Sequence, residues 1–196
     1  MDTAIVVLEN CFLRPYLASD VEQMQKEADD LKISYYMTNM FPSPYTLKDA
    51  ETWVKIANGD DPVRNYAICK LDGSYIGGIG LKVRPDVEYR TMEVGYWVGQ
   101  AHWGQGIATT ALKGFTRWAF ETNPDLIRVE AGVFGGNDAS VRVLTKAGYT
   151  LEGVRRKAGC KFGRLFDISI LGVLREEWPG LEDKTEQADA LNKLIS

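Results

Sequence analysis

Glycines 104 and 106 in Trp103-Gly104-Gln105-Gly106-Ile107-Ala108 stand between the strand-like run 93–98 and a helix-like run, a placement suited to holding an anion. Lacking Cβ atoms, they leave backbone N–H groups open to close approach. The helix that follows adds its unsatisfied first-turn donors and the positive end of its dipole. The chemistry expected there is the cradling of a diphosphate on a nucleotide-bearing cofactor. Two other glycine-rich loops fail their own requirements: no Lys-Ser or Lys-Thr pair closes this one, and the spacing is not the three-glycine dinucleotide pattern. Taken alone, a tight turn or close helix packing explains the two glycines equally well.

Glu93 is the candidate general base. It interrupts an apolar strand between Met92 and Val94, where partial desolvation would favour its neutral form and sharpen it as a base near neutral pH. Strand alternation sets it beside Trp97 and opposite Val94, Tyr96 and Val98. A salt bridge to a neighbouring strand is the competing reading. Asp86 and Glu88 in the preceding turn read as solvated. His102, the only histidine, falls in the loop ahead of the cradle and reads as a rim residue. Further on, Asn137-Asp138-Ala139-Ser140 opens a second helix that runs through Arg142, Leu144 and Lys146 to the glycine cap Gly148. Asn137 is a natural N-cap there, and Ser140 lies on the first turn. Arg142 and Lys146, at i and i+4, form a basic face that suits either phosphates or solvent.

These residues need a scaffold, and 196 residues with 45% apolar content suffice for one well-buried core. The net charge of −4, from 23 basic and 27 acidic residues, argues against a dedicated nucleic-acid binder. Cys11, Cys69 and Cys160 are an odd, widely spaced set with no C-x-x-C, which disfavours zinc or a disulfide framework, so no metal is expected. The apolar stretch 4–8 is short for a signal-peptide core and nothing approaches a membrane span, which makes cytoplasmic residence the default and a membrane partner unexpected. Helices are expected after Ser19 or Asp20 and over 47–57 behind Thr46, linked by a Pro-containing segment 39–45. Runs 66–71 and 75–83 flank the hairpin signal Asp72-Gly73, and 91–98 supplies a third antiparallel strand. After the cradle come a helix over 109–121, a strand over 128–134, the helix 137–147, and a hairpin from 149–157 and 164–174. Residues 1–178 read as one domain, with 179–196 a tail or short docking helix.

The ordered pair of motifs, strand–G-x-G-Ile-Ala–helix–strand followed by N-x-x-S-x-x-V-L-x-K-x-G-Y, resembles the GNAT superfamily of acetyl-CoA-dependent N-acetyltransferases. Within it, Glu93-Val94-Gly95-Tyr96-Trp97-Val98 and Tyr149-Thr150-Leu151-Glu152-Gly153 are similar to the branch of ribosomal-protein N-terminal acetyltransferases, and Leu13-Arg14-Pro15 opens the similarity. It spans roughly residues 8 to 176, and two motifs in order are more specific than either alone. The resemblance implies an α/β (α+β) GNAT fold: a mixed central sheet of about seven strands, splayed between strands ending near Val98 and Val133, with about four helices.

It also implies roles. Trp103, Gly104, Gln105, Gly106, Ile107, Ala108 and Thr109 would bind the CoA pyrophosphate. The backbone of Trp97 and Val98 would pair with pantetheine, and an N–H near Val98 would polarise the thioester carbonyl. Asn137 and Ser140 would lie near the sulfur, with Arg142 and Lys146 toward the nucleotide phosphates. Two positions depart from the family pattern. Trp103 stands where Gln or Arg is usual, and reads as packed beneath the loop. Leu144 replaces a tyrosine that donates a proton to the thiolate, so Ser140 inherits that role, or water does. With no cysteine in either motif, the expected reaction is direct attack by a primary amine in a ternary complex, with Glu93 and Ser140 as catalytic pair. The acceptor is a peptide N-terminus or a small amine, with Tyr35, Tyr36, Met37, Phe41 and Trp53 as an apolar wall. A catalytically silent acyl-CoA sensor or an interaction module on the same fold is the alternative. Monomer and homodimer both stay open.

Overall fold

Gly73 adopts φ +94° and the Asp72 carboxylate accepts from the Ser74 amide at 2.9 Å, so the chain reverses as those residues demand. Asn65–Cys69 (β3) therefore pairs antiparallel with Tyr75–Val83 (β4). The computed structural model describes residues 3–179. Val6–Val7 (β1) and Phe12–Arg14 (β2) continue this sheet on one side, and Thr91–Val98 (β5) lies antiparallel to β4 on the other. Arg128–Phe134 (β6), Thr150–Lys161 (β7) and Arg164–Leu174 (β8) complete one sheet of order β1-β2-β3-β4-β5-β6-β8-β7.

The seam between β5 and β6 positions the site. These parallel neighbours share only three register pairs, Thr91↔Arg128, Met92↔Val129 and Glu93↔Glu130. Beyond them β5 stays with β4 and β6 stays with β8, so the sheet splays between Val98 and Val133 as expected.

Among the described residues five α-helices flank the sheet. Val21–Ala28 (α1) ends early because the Asp30 carboxylate accepts from the Lys32 amide at 2.7 Å and starts a new helix, Leu31–Ser34 (α2). That break and the two-residue β1 account for one helix and one strand more than expected. Asp20 does not cap α1 through its side chain: its carboxylate is buried against Arg14 at 2.6 Å and holds the Leu17 amide. Thr46 and Asp49 form a capping box on Leu47–Gly59 (α3), a device worth about 1 kcal/mol. Ile107–Thr122 (α4) and Asp138–Lys146 (α5) follow the two functional motifs.

The two faces of the sheet have different covers. On one face α4 buries Ile107, Ala111, Leu112, Phe115, Ala119 and Phe120 against Val94, Val98, Val129, Ala131 and Val133, with Leu144 from α5. On the other, α1 and α3 bury Met24, Ala28, Ala50 and Ala57 against Phe12, Tyr16, Ala67, Cys69 and Tyr75. That second cover reaches only as far as the early strands. Among the described residues no helix is long and apolar enough to cross a membrane. Of the expected C-terminal tail 179–196, residues 180–196 lie outside the described residues.

Candidate active site

Gly104 and Gly106 both take left-handed backbone, φ +75° and +76°, and a Cβ at either would meet nothing within 4 Å. The loop therefore needs glycine for its own conformation, while the space beside it stays open to a ligand. Gly106 is the N-cap of the 16-residue α4 and supplies no side-chain cap. The Thr110 amide donates to the Gly106 carbonyl at 3.0 Å, which leaves Ile107, Ala108 and Thr109 with N–H groups that precede the first helical bond. These are the donors an anion requires, and the cradle residues expected from sequence stand together around them.

Trp103 does not pack beneath this loop. Its ring is 48% exposed, and the indole N–H donates to the Val98 carbonyl at 2.7 Å, tying the cradle to the end of β5. The Gln105 amide donates to the Ala101 carbonyl at 3.1 Å, which closes the loop from within. His102 is more enclosed than a rim residue: Nε2 lies 3.3 Å from Glu27 Oε1, and both side chains are largely buried. Gln23 holds the same carboxylate oxygen at 2.7 Å, so the end of α1 is fastened to the approach of the cradle.

At the seam, the Gly99 amide donates to the Ile76 carbonyl at 2.8 Å. Successive residues of a strand turn their amide groups to opposite sides, so Trp97 and Gly95 address β4 while Val98 and Tyr96 address the gap. The backbone N–H groups of Val98 and Tyr96 therefore face the gap, and that of Trp97 faces β4. The Trp97 side chain packs edge-on against Phe41 at 5.6 Å on the other face.

Asn137 caps α5, its side chain accepting from the Ser140 amide at 3.1 Å. Ser140 Oγ lies 2.8 Å from the Tyr96 hydroxyl, so a bond crosses from β5 to the first turn of α5. Burial pushes the Tyr96 phenol up to about 12. Sequence reading missed Tyr96, although strand alternation already put it on the face opposite Glu93. Leu144 is fully buried and offers no chemistry. Arg142 and Lys146 are exposed on α5. Lys146 lines a cavity of about 440 Å³ with Lys113, Arg117 and Trp178, and no cradle residue lines it.

The opposite face of the seam carries Glu93, Gly95 and Trp97 from β5, and Arg128, Glu130, Gly132 and Phe134 from β6. Gly95 is exposed, and a Cβ there would meet nothing within 4 Å, so the floor between these walls is bare. Glu93 takes the ion pair that was the competing reading of its place in an apolar strand. Its Oε2 meets Arg84 at 3.0 Å, Arg84 also holds Glu130 at 2.7 Å, and the Glu93 side chain keeps 34% of its surface. The pairing arginine comes from just beyond β4, where strand alternation alone does not reveal it.

Aromatic rings form the far wall. Tyr35 stacks on Phe162 at 6.3 Å and meets Phe166 edge-on at 5.7 Å, while the Tyr36 hydroxyl donates to the Gly136 carbonyl at 3.1 Å. Lys161, buried at the end of β7, donates to the carbonyls of Ser34 and Met37 and thus pins this wall to the last hairpin. Trp53 is not part of it; its ring packs against Tyr16 beneath α3. The described residues contain no group of three or more His, Cys, Asp or Glu able to hold a metal ion.

Comparison with known proteins agrees with this geometry. The acetyltransferase (GNAT) domain family model matches residues 10–150, and the chain belongs to that family. An uncharacterized N-acetyltransferase of Bacillus licheniformis, p20, is 28% identical over 177 residues, covering 88% of this chain and 97% of p20. RimJ of Mycobacterium smegmatis, solved with CoA-disulfide, is 26% identical with a TM-score of 0.76, over 88% of this chain and 87% of RimJ. RimL, described as a ribosomal L7/L12 alpha-N-protein acetyltransferase in complex with coenzyme A, shares the fold with a TM-score of 0.74. It is 18% identical, over 87% of this chain and 97% of RimL. The family and these relatives make the protein a transferase of the N-acetyltransferase class, and the similarity to the ribosomal-protein branch holds.

Proposed function

We propose that this protein transfers acetyl from acetyl-CoA to the free α-amine of a peptide, by direct attack within a ternary complex. The observation that carries the proposal is the splay itself: a strand edge at Tyr96 and Val98 leads from an open glycine cradle to a seam with chemistry-bearing groups on both faces. In this reading Gly104 to Thr109 hold the pyrophosphate, and α4 contributes its first-turn amides and dipole. The exposed amide side of Val98 and Tyr96 receives the pantetheine arm as an extended partner. Arg142 and Lys146 lie where α5 leaves the seam and favour the nucleotide phosphates by charge alone.

The acceptor enters from the face of Glu93 and Trp97, over the bare floor at Gly95. Glu93, held by Arg84, receives the amine proton directly or through one water, and Ser140 gives a proton to sulfur from the other face. An α-amine suits so modest a base, because its reference pKa of about 7.7–8.0 lies well below lysine's at about 10.4. The aromatic wall of Tyr35, Tyr36 and Phe41 accommodates the first side chain of an extended peptide. RimL, by its description, works on such an α-amine; that supports the class of acceptor.

The deciding experiment titrates acetyl-CoA by calorimetry and then measures thiol release against peptides with free and blocked N-termini, lysine side chains and polyamines. Release that follows free N-termini establishes the reading. Release only with small amines moves the acceptor class, and binding without any release makes the protein an acyl-CoA sensor.

A further inference from the structure

With Leu144 in the core, α5 carries no phenol toward the seam. A different phenol reaches the same place from the other side. Tyr96 projects from β5 onto the face packed by α4 and α5, with its Oη 2.8 Å from Ser140 Oγ and 3.3 Å from the Ser140 carbonyl oxygen. Asn137 holds the Ser140 amide at 3.1 Å, so the serine is gripped through both its backbone and its hydroxyl. We propose that Tyr96 is a positioning residue for acetyl transfer: its phenol donates to Ser140 Oγ and so turns the serine's own proton into the seam, toward the departing sulfur. The inference rests on the proposed role of Ser140 as proton donor.

The direction of the hydrogen bond follows from acidity and distance. A phenol is a stronger donor than an aliphatic hydroxyl. The alternative, a phenol proton given to the Ser140 carbonyl, uses the longer contact and would leave the serine donating to the phenol with nothing for sulfur. Burial keeps the phenol protonated across the working range. Tyr149, the neighbouring phenol that feels the charge of Tyr96, is engaged with Thr116 at 2.7 Å and does not compete for Ser140. In the step itself the C–S bond breaks with its electron pair going to sulfur, and sulfur takes the Ser140 proton. As the carbon–nitrogen bond forms, the amine sheds one proton to Glu93, and that proton is returned through water to restore the serine. Tyr96 keeps its proton throughout.

The test uses Tyr96→Phe, Ser140→Ala and the double variant in the full chain, with three readouts: steady-state kinetics, CoA affinity by calorimetry, and titration of the bound CoA thiol by the ultraviolet absorbance of its thiolate. Tyr96→Phe is expected to lower kcat about tenfold while the KM for acetyl-CoA and the CoA affinity stay within about twofold. The bound thiol should titrate about one pH unit higher than in the unaltered protein, since a lost donor to sulfur disfavours the thiolate. In the Ser140→Ala background the same change should cost nothing more, because the tyrosine acts only through the serine. An unchanged kcat and thiol titration in Tyr96→Phe, beside a slowed Ser140→Ala, would overturn the inference and spare the role of Ser140. Lower melting temperature and weaker CoA binding with kcat intact would make the contact a structural tie, which also overturns it. If Ser140→Ala itself changes neither kcat nor thiol titration, the proposed donor fails and the inference falls with it.

Discussion

In the proposed mechanism, Glu93 and Gly106 are the side chain and the backbone position on which acetyl transfer makes its sharpest demands. Replacing Glu93 by Gln keeps the shape and removes the proton acceptor, so kcat/KM at neutral pH should fall about 100-fold, within the usual range for a general base. The deficit should shrink above about pH 8, where an α-amine is already neutral. CoA affinity should be unaltered; an unchanged rate profile would place the base elsewhere. Gly106→Val forces a Cβ into left-handed backbone, at about 1–2 kcal/mol, and fills the open side of the cradle. Gly73→Val supplies the control, because Gly73 has the same sign of φ and the same empty surroundings but sits in a turn between strands. Both variants should lose stability, and only Gly106→Val should also weaken CoA binding in calorimetry. Gly104 and Gly106 were legible in the sequence because a left-handed turn before a helix is a local requirement. Tyr96 and Arg84 were not, because their importance comes from what the third dimension sets beside them: a serine on another element, and carboxylates of two strands.

The elements around the acceptor face are joined by few but specific bonds. Lys161 on β7 serves the carbonyls that close α2 and the segment after it, so the hairpin and the aromatic wall move as one. Lys161→Ala removes the lysine donor from the Met37 carbonyl and from the Ser34 carbonyl, which keeps the Met37 amide at 3.2 Å, a cost of about 1–3 kcal/mol. Kinetics should show a raised KM for the acceptor with the acetyl-CoA KM unchanged; equal changes in both would mean that the hairpin supports the cradle as well. Element identity was largely readable along the chain, since Thr46 and Asp49, Asn137, and Asp72-Gly73 are local signals with local consequences. The break between α1 and α2 was not, although Asp30 is a competent cap, because the apolar spacing runs on past it. Glu27 escaped notice, and His102 was read as a rim residue, for a different reason. Each looks like a surface residue in its own segment, and only the packing of α1 over the end of β5 encloses them.

Across the whole molecule, buried phenols and thiols fix how stability responds to alkali. Burial pushes the phenols of Tyr45 and Tyr96 up to about 12 and raises those of Tyr16, Tyr75 and Tyr149 further. It also lifts the thiols of Cys11 to about 11 and Cys69 to about 12. In the unfolded chain the thiols would ionise from about pH 8.5 and the phenols from about 10. The native state then holds more protons than the unfolded one, and stability falls as pH rises. Melting temperature should therefore be flat through neutrality and drop steeply from about pH 9 toward 12, with Tyr149→Phe softening the slope; a flat profile to pH 11 would contradict the burial of these groups.

The three-pair seam has a consequence of another kind. Because β5 and β6 part after Glu93, the sheet consists of two ladders whose facing edges do not pair with each other beyond it, where a ligand arm would complete them. A bound thioester arm is in that sense a missing strand, and folding and saturation become linked equilibria. At a free ligand concentration one hundred times its dissociation constant the native state gains about 2.7 kcal/mol. Amide hydrogen exchange at Tyr96 and Val98 should slow accordingly when CoA is added, and the lifetime of this chain in a cell would then track the supply of its own acyl donor.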